Sequence, residues 1–210
     1  MNKTYKGYKI VVTRDQYPES PRRWGNLGTI VHWHKRYDFG EERVRFETRE
    51  EHRRFEKQMG EHPVALPLYL YDHSVQSIST RSFHGRAHHA AWDSGRVGYV
   101  YASREAILEW FPGWKRITKA RKERVREILE SEIETFDMYI RGEVYGYHIV
   151  TPSGETIPGC YGFYGNPEES GLLDEAKSIV DYEEEKRQER EREQVRAWNR
   201  NSGFAPLFAR

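Results

Sequence analysis

The chain has 210 residues, of which 32% are charged and 37% hydrophobic, with a formal net charge of +1. That balance excludes a uniformly basic nucleic-acid binder and an acidic mimic of DNA, and leaves electrostatic signals to local clusters. A single cysteine, Cys160, excludes an intramolecular disulfide and a cysteine-built zinc site.

Tyr5 to Thr13 alternates as a strand, with Tyr8, Ile10 and Val12 on one face. DQYPESPRRWGN follows as a loop, broken by two prolines and a glycine. LGTIVHWHKRY reads as a second strand, with Thr29, Val31 and Trp33 on one face and Ile30, His32 and His34 on the other. Thr48 and Glu51 have capping-box spacing, and Gly60 is a suitable stop for the helix between. VALPLYLYD is a strand whose Pro67 demands an edge or a bulge, and SVQSISTRSF is a neighbouring strand. Asp93-Ser94-Gly95 reads as a turn before the strand that carries Val97, Tyr99 and Tyr101. Ser103 caps a short helix that Pro112-Gly113 ends.

A longer helix is predicted over 119–141, with Val125, Ile128, Leu129, Ile133, Phe136 and Ile140 as its buried stripe and Gly142 as its end. EVYGYHIV and TIPGCYGFYG then read as a hairpin across Pro152-Ser153-Gly154. After Pro167, Leu172, Leu173, Ala176, Ile179 and Val180 recur at helical spacing, and beyond Asp181 the chain is almost wholly charged. The expected fold is α+β, a mostly antiparallel sheet flanked by helices. The expected division is a body over 1–165 and an extended charged C-terminal helix with its tail over 166–210.

The N-terminal MNKTYKGYKIVV has no apolar run adequate for a signal peptide, and no stretch reaches the roughly 20 apolar residues that span a bilayer. The expectation is therefore a soluble, intracellular protein without a membrane partner. Its chemistry is sparse. His32 and His34 share a strand face and can share a metal, given a third ligand from Asp72, His73, His148 or the histidines of 84–89; the alternative is an ordinary polar sheet surface. Asp72-His73-Ser74 has the residue types of a hydrolytic triad but the wrong spacing, and Cys160 reads as a small buried hydrophobe rather than a nucleophile. No phosphate loop or dinucleotide fingerprint occurs, and no cofactor is expected. The His84–Ala91 loop reads as mobile.

WKRITKARKERVR concentrates Lys115, Arg116, Lys119, Arg121, Lys122, Arg124 and Arg126 at the start of a helix whose second half is acidic. The order opposes the helix macrodipole, so an anionic partner is one explanation; a solvated turn paired with acids elsewhere is the other. Trp114 stands beside it as a candidate for base stacking. Phe204, Leu207 and Phe208 in the terminal SGFAPLFAR are candidate anchors for a partner, on a helix that either protrudes or docks.

Taken in order, YPESPRRWGNLGTIVHWHKRYDFG, LPLYLYDHSVQSIST, WDSGRVGYVYAS, RGEVYGY and CYGFYG resemble an uncharacterised family of small proteins encoded by bacteriophages and mobile elements. The resemblance spans roughly 17–165 and implies a viral protein in the host cell cytoplasm without implying a catalytic residue. Together with the basic cluster it sets a leading expectation of an accessory protein. Such a protein would bind a bacterial protein or protein–nucleic-acid complex and inhibit a host defence system. Direct nucleic-acid binding through 115–126 and, behind it, a histidine-dependent metal hydrolase are the alternatives.

Overall fold

The structure, a computed structural model, describes the backbone of residues 1–201 and the side chains of residues 1–200. Phe204, Leu207 and Phe208 lie outside the described residues. The fold is α+β, with ten strands and five α-helices among the described residues. Two compact units divide it: Met1–Asp15 with the chain from Tyr145 onward, and Gln16–Val144. The expected 1–165 body is thus shared between two units, and the helix after residue 166 belongs with the first two strands.

The chain opens with a hairpin of β1 (Asn2–Tyr5) and β2 (Tyr8–Arg14). Its two turn residues both have positive φ, Lys6 at 47° and Gly7 at 82°. This is the type I′ pattern, whose twist matches that of the paired strands. β2 buries Tyr8, Ile10 and Val12 as the alternation required.

The larger unit follows. Its sheet has the order β4-β3-β7-β5-β6, with β3 (Thr29–His32), β4 (Glu42–Arg43), β5 (Val64–Asp72), β6 (Gln76–Ser79) and β7 (Ser94–Ala102). All its pairings are antiparallel except β3 with β4. Its helices are α1 (Arg49–Met59), α2 (Ala90–Asp93), α3 (Arg104–Trp110) and α4 (Lys119–Ile140). Thr48 caps α1 by accepting from the Glu51 amide at 3.1 Å, and Glu51 reaches back to the Glu47 amide at 2.8 Å. Pro67 sits where β5 has only β7 beside it, and a register shift follows at Leu68/Tyr69. The missing amide therefore costs no ladder bond. The turn expected at Asp93–Gly95 is instead the close of α2, entered through His89 in the left-handed region at φ 54°. Ser94, the middle residue of that expected turn, already opens β7.

α4 lies on the sheet through Val125, Leu129, Ile133 and Phe136, against Ile30, Leu66, Leu68 and Val100. Each fully buried aliphatic side chain contributes roughly 1.5–3 kcal/mol, so this layer is the main support of the unit.

The chain then returns to the smaller unit as β8 (Val144–Val150), β9 (Thr156–Ile157), β10 (Tyr161–Tyr164) and α5 (Leu172–Asn201). The order is β1-β2-β8-β10, with β9 also on β8. Leu172, Ala176 and Val180 are fully buried with Ile10, Tyr147 and Ile149. The Tyr147 hydroxyl donates to Glu175 at 2.9 Å, and burial with this bond pushes its pKa well above the ordinary tyrosine range. α5 thus docks through its first three turns, whereas residues 185–196 are all exposed. No helix among the described residues is long and apolar enough to cross a membrane.

Candidate partner-binding site

In the larger unit the loop before β3 is fixed by buried charge. Glu132 on α4 accepts the amides of Leu27 at 2.7 Å and Gly28 at 3.0 Å, one on each carboxylate oxygen. The Arg22 guanidinium lies 3.6 Å from the second oxygen, and its side chain is 8% exposed. Arg22 also donates to the Gly28 carbonyl at 2.6 Å and to Glu41 at 2.7 Å. Glu41 in turn accepts the Ile30 amide at 2.7 Å. Burial raises the Glu132 pKa, opposed by the Leu27 and Gly28 amides and by Arg22. A side chain at Gly28 would place its Cβ 2.5 Å from Leu129 Cδ2, so the close approach of loop to helix requires glycine.

The clamp presents the intervening residues as a rigid edge. Pro21–Arg23 forms a 3-10 turn, and the Asn26 amide donates to the carbonyls of Pro21 and Trp24, both at 2.9 Å. Trp24 is 46% exposed, and Trp110 at the end of α3 is 44% exposed. Both line a cavity of about 390 Å³ with Arg124, Glu127, Ser131 and Thr135. A second cavity of about 310 Å³ shares Asn26 and Trp110 with it. Two large amphipathic rings, half-exposed around one cavity, are what a protein-contact centre needs.

The cations expected to form one patch are divided among several. Arg121 is half-buried, with its guanidinium 4.8 Å from the Trp114 ring centre and donating to the Arg116 carbonyl at 2.7 Å. Trp114 is also stacked on Phe111 at 4.0 Å, so its ring already has partners within the protein. Arg121 therefore interrupts the apolar stripe because it ties down the turn before α4. Arg124 pairs with Glu127 at 3.2 Å and Arg126 with Glu123 at 3.5 Å, both within α4. At roughly 100° per residue, Lys119, Lys122 and Arg126 share one flank of α4, about 150° from Arg124. Lys115, Arg116, Lys119 and Lys122 make no side-chain hydrogen bond or ion pair among the described residues.

The histidines are held by other groups. His32 is fully buried, with Nε2 3.0 Å from Asp38. His34 lies beyond the end of β3, and its Nδ1 accepts the Tyr37 amide at 3.0 Å. Both rings meet Phe39, yet no group of three or more His, Cys, Asp or Glu converges for a metal among the described residues. Asp72 binds Tyr37 and Gln76, while His73 bonds Asp93 at 2.9 Å, so Asp72-His73-Ser74 does not assemble. Cys160 is exposed rather than buried.

The sequence reading missed Trp24 and Trp110. The signal available was the pair of arginines and the glycines around Trp24 in PRRWGNLG, but the partner carboxylate stands 105 residues away. Comparison with protein-family models, with curated proteins and with solved structures found no match.

Proposed function

We propose that the protein acts by binding rather than by catalysis. In this reading it is an accessory protein of bacteriophage type that engages a bacterial protein or protein–nucleic-acid complex in the host cytoplasm and so inhibits a host defence system. The phage context rests on the sequence resemblance. The binding role rests on one observation, a pair of half-exposed tryptophans lining one cavity, Trp24 on the loop held by the Arg22–Glu132 clamp and Trp110 at the end of α3. Because the clamp has already ordered the loop, a partner gains the contact without the cost of immobilising it. Of the α4 cations only Arg124 lines this groove; Lys119, Lys122 and Arg126, on another flank, act as longer-range steering charges whose effect is on association rate.

Direct nucleic-acid binding is the second reading, favoured by the unpaired Lys115, Arg116, Lys119 and Lys122. The test is capture of partners from a bacterial lysate by the full chain, with and without nuclease. A partner retained after nuclease supports protein recognition; loss of every partner on nuclease treatment, with binding that falls steeply with salt, supports the second reading instead.

A further inference from the structure

A second cleft opens in the larger unit where β3 and β4 end. The two strands are parallel, pairing Val31 with Glu42 and His32 with Arg43, and the Val44 amide still reaches the His32 carbonyl at 2.8 Å. Beyond that bond the segments diverge and enclose a cavity of about 580 Å³, lined by Trp33, His34, Lys35, Arg43, Arg45 and Phe46. That volume lies within the roughly 300–1,000 Å³ typical of small-ligand sites.

Its aromatic wall is preformed. The Trp33 ring centre lies 5.8 Å from Phe46 and 4.9 Å from His52. Arg96 lies over Trp33 and Tyr99 at 5.9 and 5.3 Å, and its guanidinium is in turn paired with Glu56. The other wall is cationic. Lys35, Arg43 and Arg45 face one lining carboxylate, Glu47, an excess of two positive charges. Arg43 spends one nitrogen on the Tyr37 carbonyl at 2.8 Å. Lys35 and Arg45 have no hydrogen bond or ion pair among the described residues. His34 adds a neutral donor: its Nδ1 accepts an amide, so the proton of the neutral ring sits on Nε2. Its pKa is lowered by burial, with His32, Arg43 and Arg36 adding to the effect and Asp72 opposing it.

Three cations set against one carboxylate favour an anionic ligand, and aromatic rings beside them specify more than a bare anion. We propose that this cleft binds a nucleotide unit, its base against Trp33 and Phe46 and its phosphate on Lys35, Arg43 and Arg45. The same chemistry is offered by a free nucleotide and by a nucleotide within a single strand. It does not depend on the tryptophan groove.

The experiment is isothermal titration of the full chain, at fixed low salt, with the four ribonucleoside triphosphates, a single-stranded oligonucleotide and inorganic tripolyphosphate. Saturable binding of a nucleotide is expected, with tripolyphosphate weaker by about tenfold or more for want of a stacked base. Tighter binding of the mononucleotide identifies a free ligand, and tighter binding of the oligonucleotide a strand. Lys35→Ala and Arg45→Ala should each weaken it by about tenfold, the loss of one charge-assisted contact. Neither side chain holds the fold, so both variants remain testable, and Arg190→Ala, at an exposed position of α5, serves as the unaffected control. No saturable nucleotide binding, equal affinity for tripolyphosphate, or indifference to both cleft variants would overturn the proposal.

Discussion

Glu132 serves two backbone amides and one guanidinium with two oxygens, and this explains why a carboxylate is tolerated in a half-buried site. A carboxamide cannot replace it, because its NH2 would meet an amide donor and Arg22 would lose its ion pair. Glu132→Gln should therefore destabilise the protein by about 2 kcal/mol in urea denaturation, the cost of leaving buried donors unpaired. Asp137 is a useful contrast. Its Oδ1 accepts the Ile78 amide at 2.8 Å, a role that asparagine keeps. Burial raises the Asp137 pKa above its ordinary 3.8, against the bonds from Ile78, Ser77 and Arg141. A raised carboxyl favours the fold below its unfolded pKa, and that contribution is lost as pH rises through the folded value. The stability of Asp137→Asn relative to the parent should accordingly increase as pH rises from 3.8 into the weakly acidic range and then level off. Denaturation of both proteins across that range checks the sign; a flat difference would show that burial does not govern this carboxyl. Local roles of this kind were readable where they depend on neighbours, as with the caps at Thr48 and Ser103. The Arg22–Glu132 clamp was not, since no spacing rule joins residues so far apart in sequence.

Among the elements, α4 and α5 divide their labour along their surfaces and lengths. α4 turns one stripe to the sheet, one flank to the tryptophan groove and another, bearing Lys119, Lys122 and Arg126, outward. Its buried stripe was legible from the 3.6-residue period, and so was the concentration of basic residues. The division of those residues was not, because composition counts charges without giving their direction around the helix. In α5 the apolar spacing of Leu172, Ala176 and Val180 was legible, and these three are the residues it buries. Replacing the exposed Arg190 and Arg192 by alanine keeps all three and should cost less than about 1 kcal/mol of stability, as expected at exposed positions. Ala176→Asp should cost about 3 kcal/mol or more by burying an unpaired charge. Thermal or urea unfolding of the two proteins measures the contrast. Equal losses would mean that the distal half of the helix carries stability too.

At the scale of the whole molecule the α+β class and most strands were legible, because hydrophobic alternation is a local property. The division into units was not. The break in composition after residue 166 marks the start of a helix, whereas the compact units are set by pairing of β2 with β8 across the entire intervening unit. The same distance effect hid the groove, whose two tryptophans come from separate elements joined only in space. We propose that recognition is centred on this groove, on Trp24 and Trp110, with the α4 lysines secondary.

The direct measurement is a side-by-side capture from bacterial lysate by the parent chain, the double variant Trp24→Ala/Trp110→Ala, and the double variant Lys119→Glu/Lys122→Glu, each with and without nuclease. Truncating a central tryptophan typically costs about 2 kcal/mol or more, enough to deplete a partner visibly. The predicted result is a nuclease-resistant partner that the tryptophan variant loses and the lysine variant keeps. Retention by the tryptophan variant, with loss in the lysine variant or on nuclease treatment, would contradict the account and move recognition to the basic flank of α4.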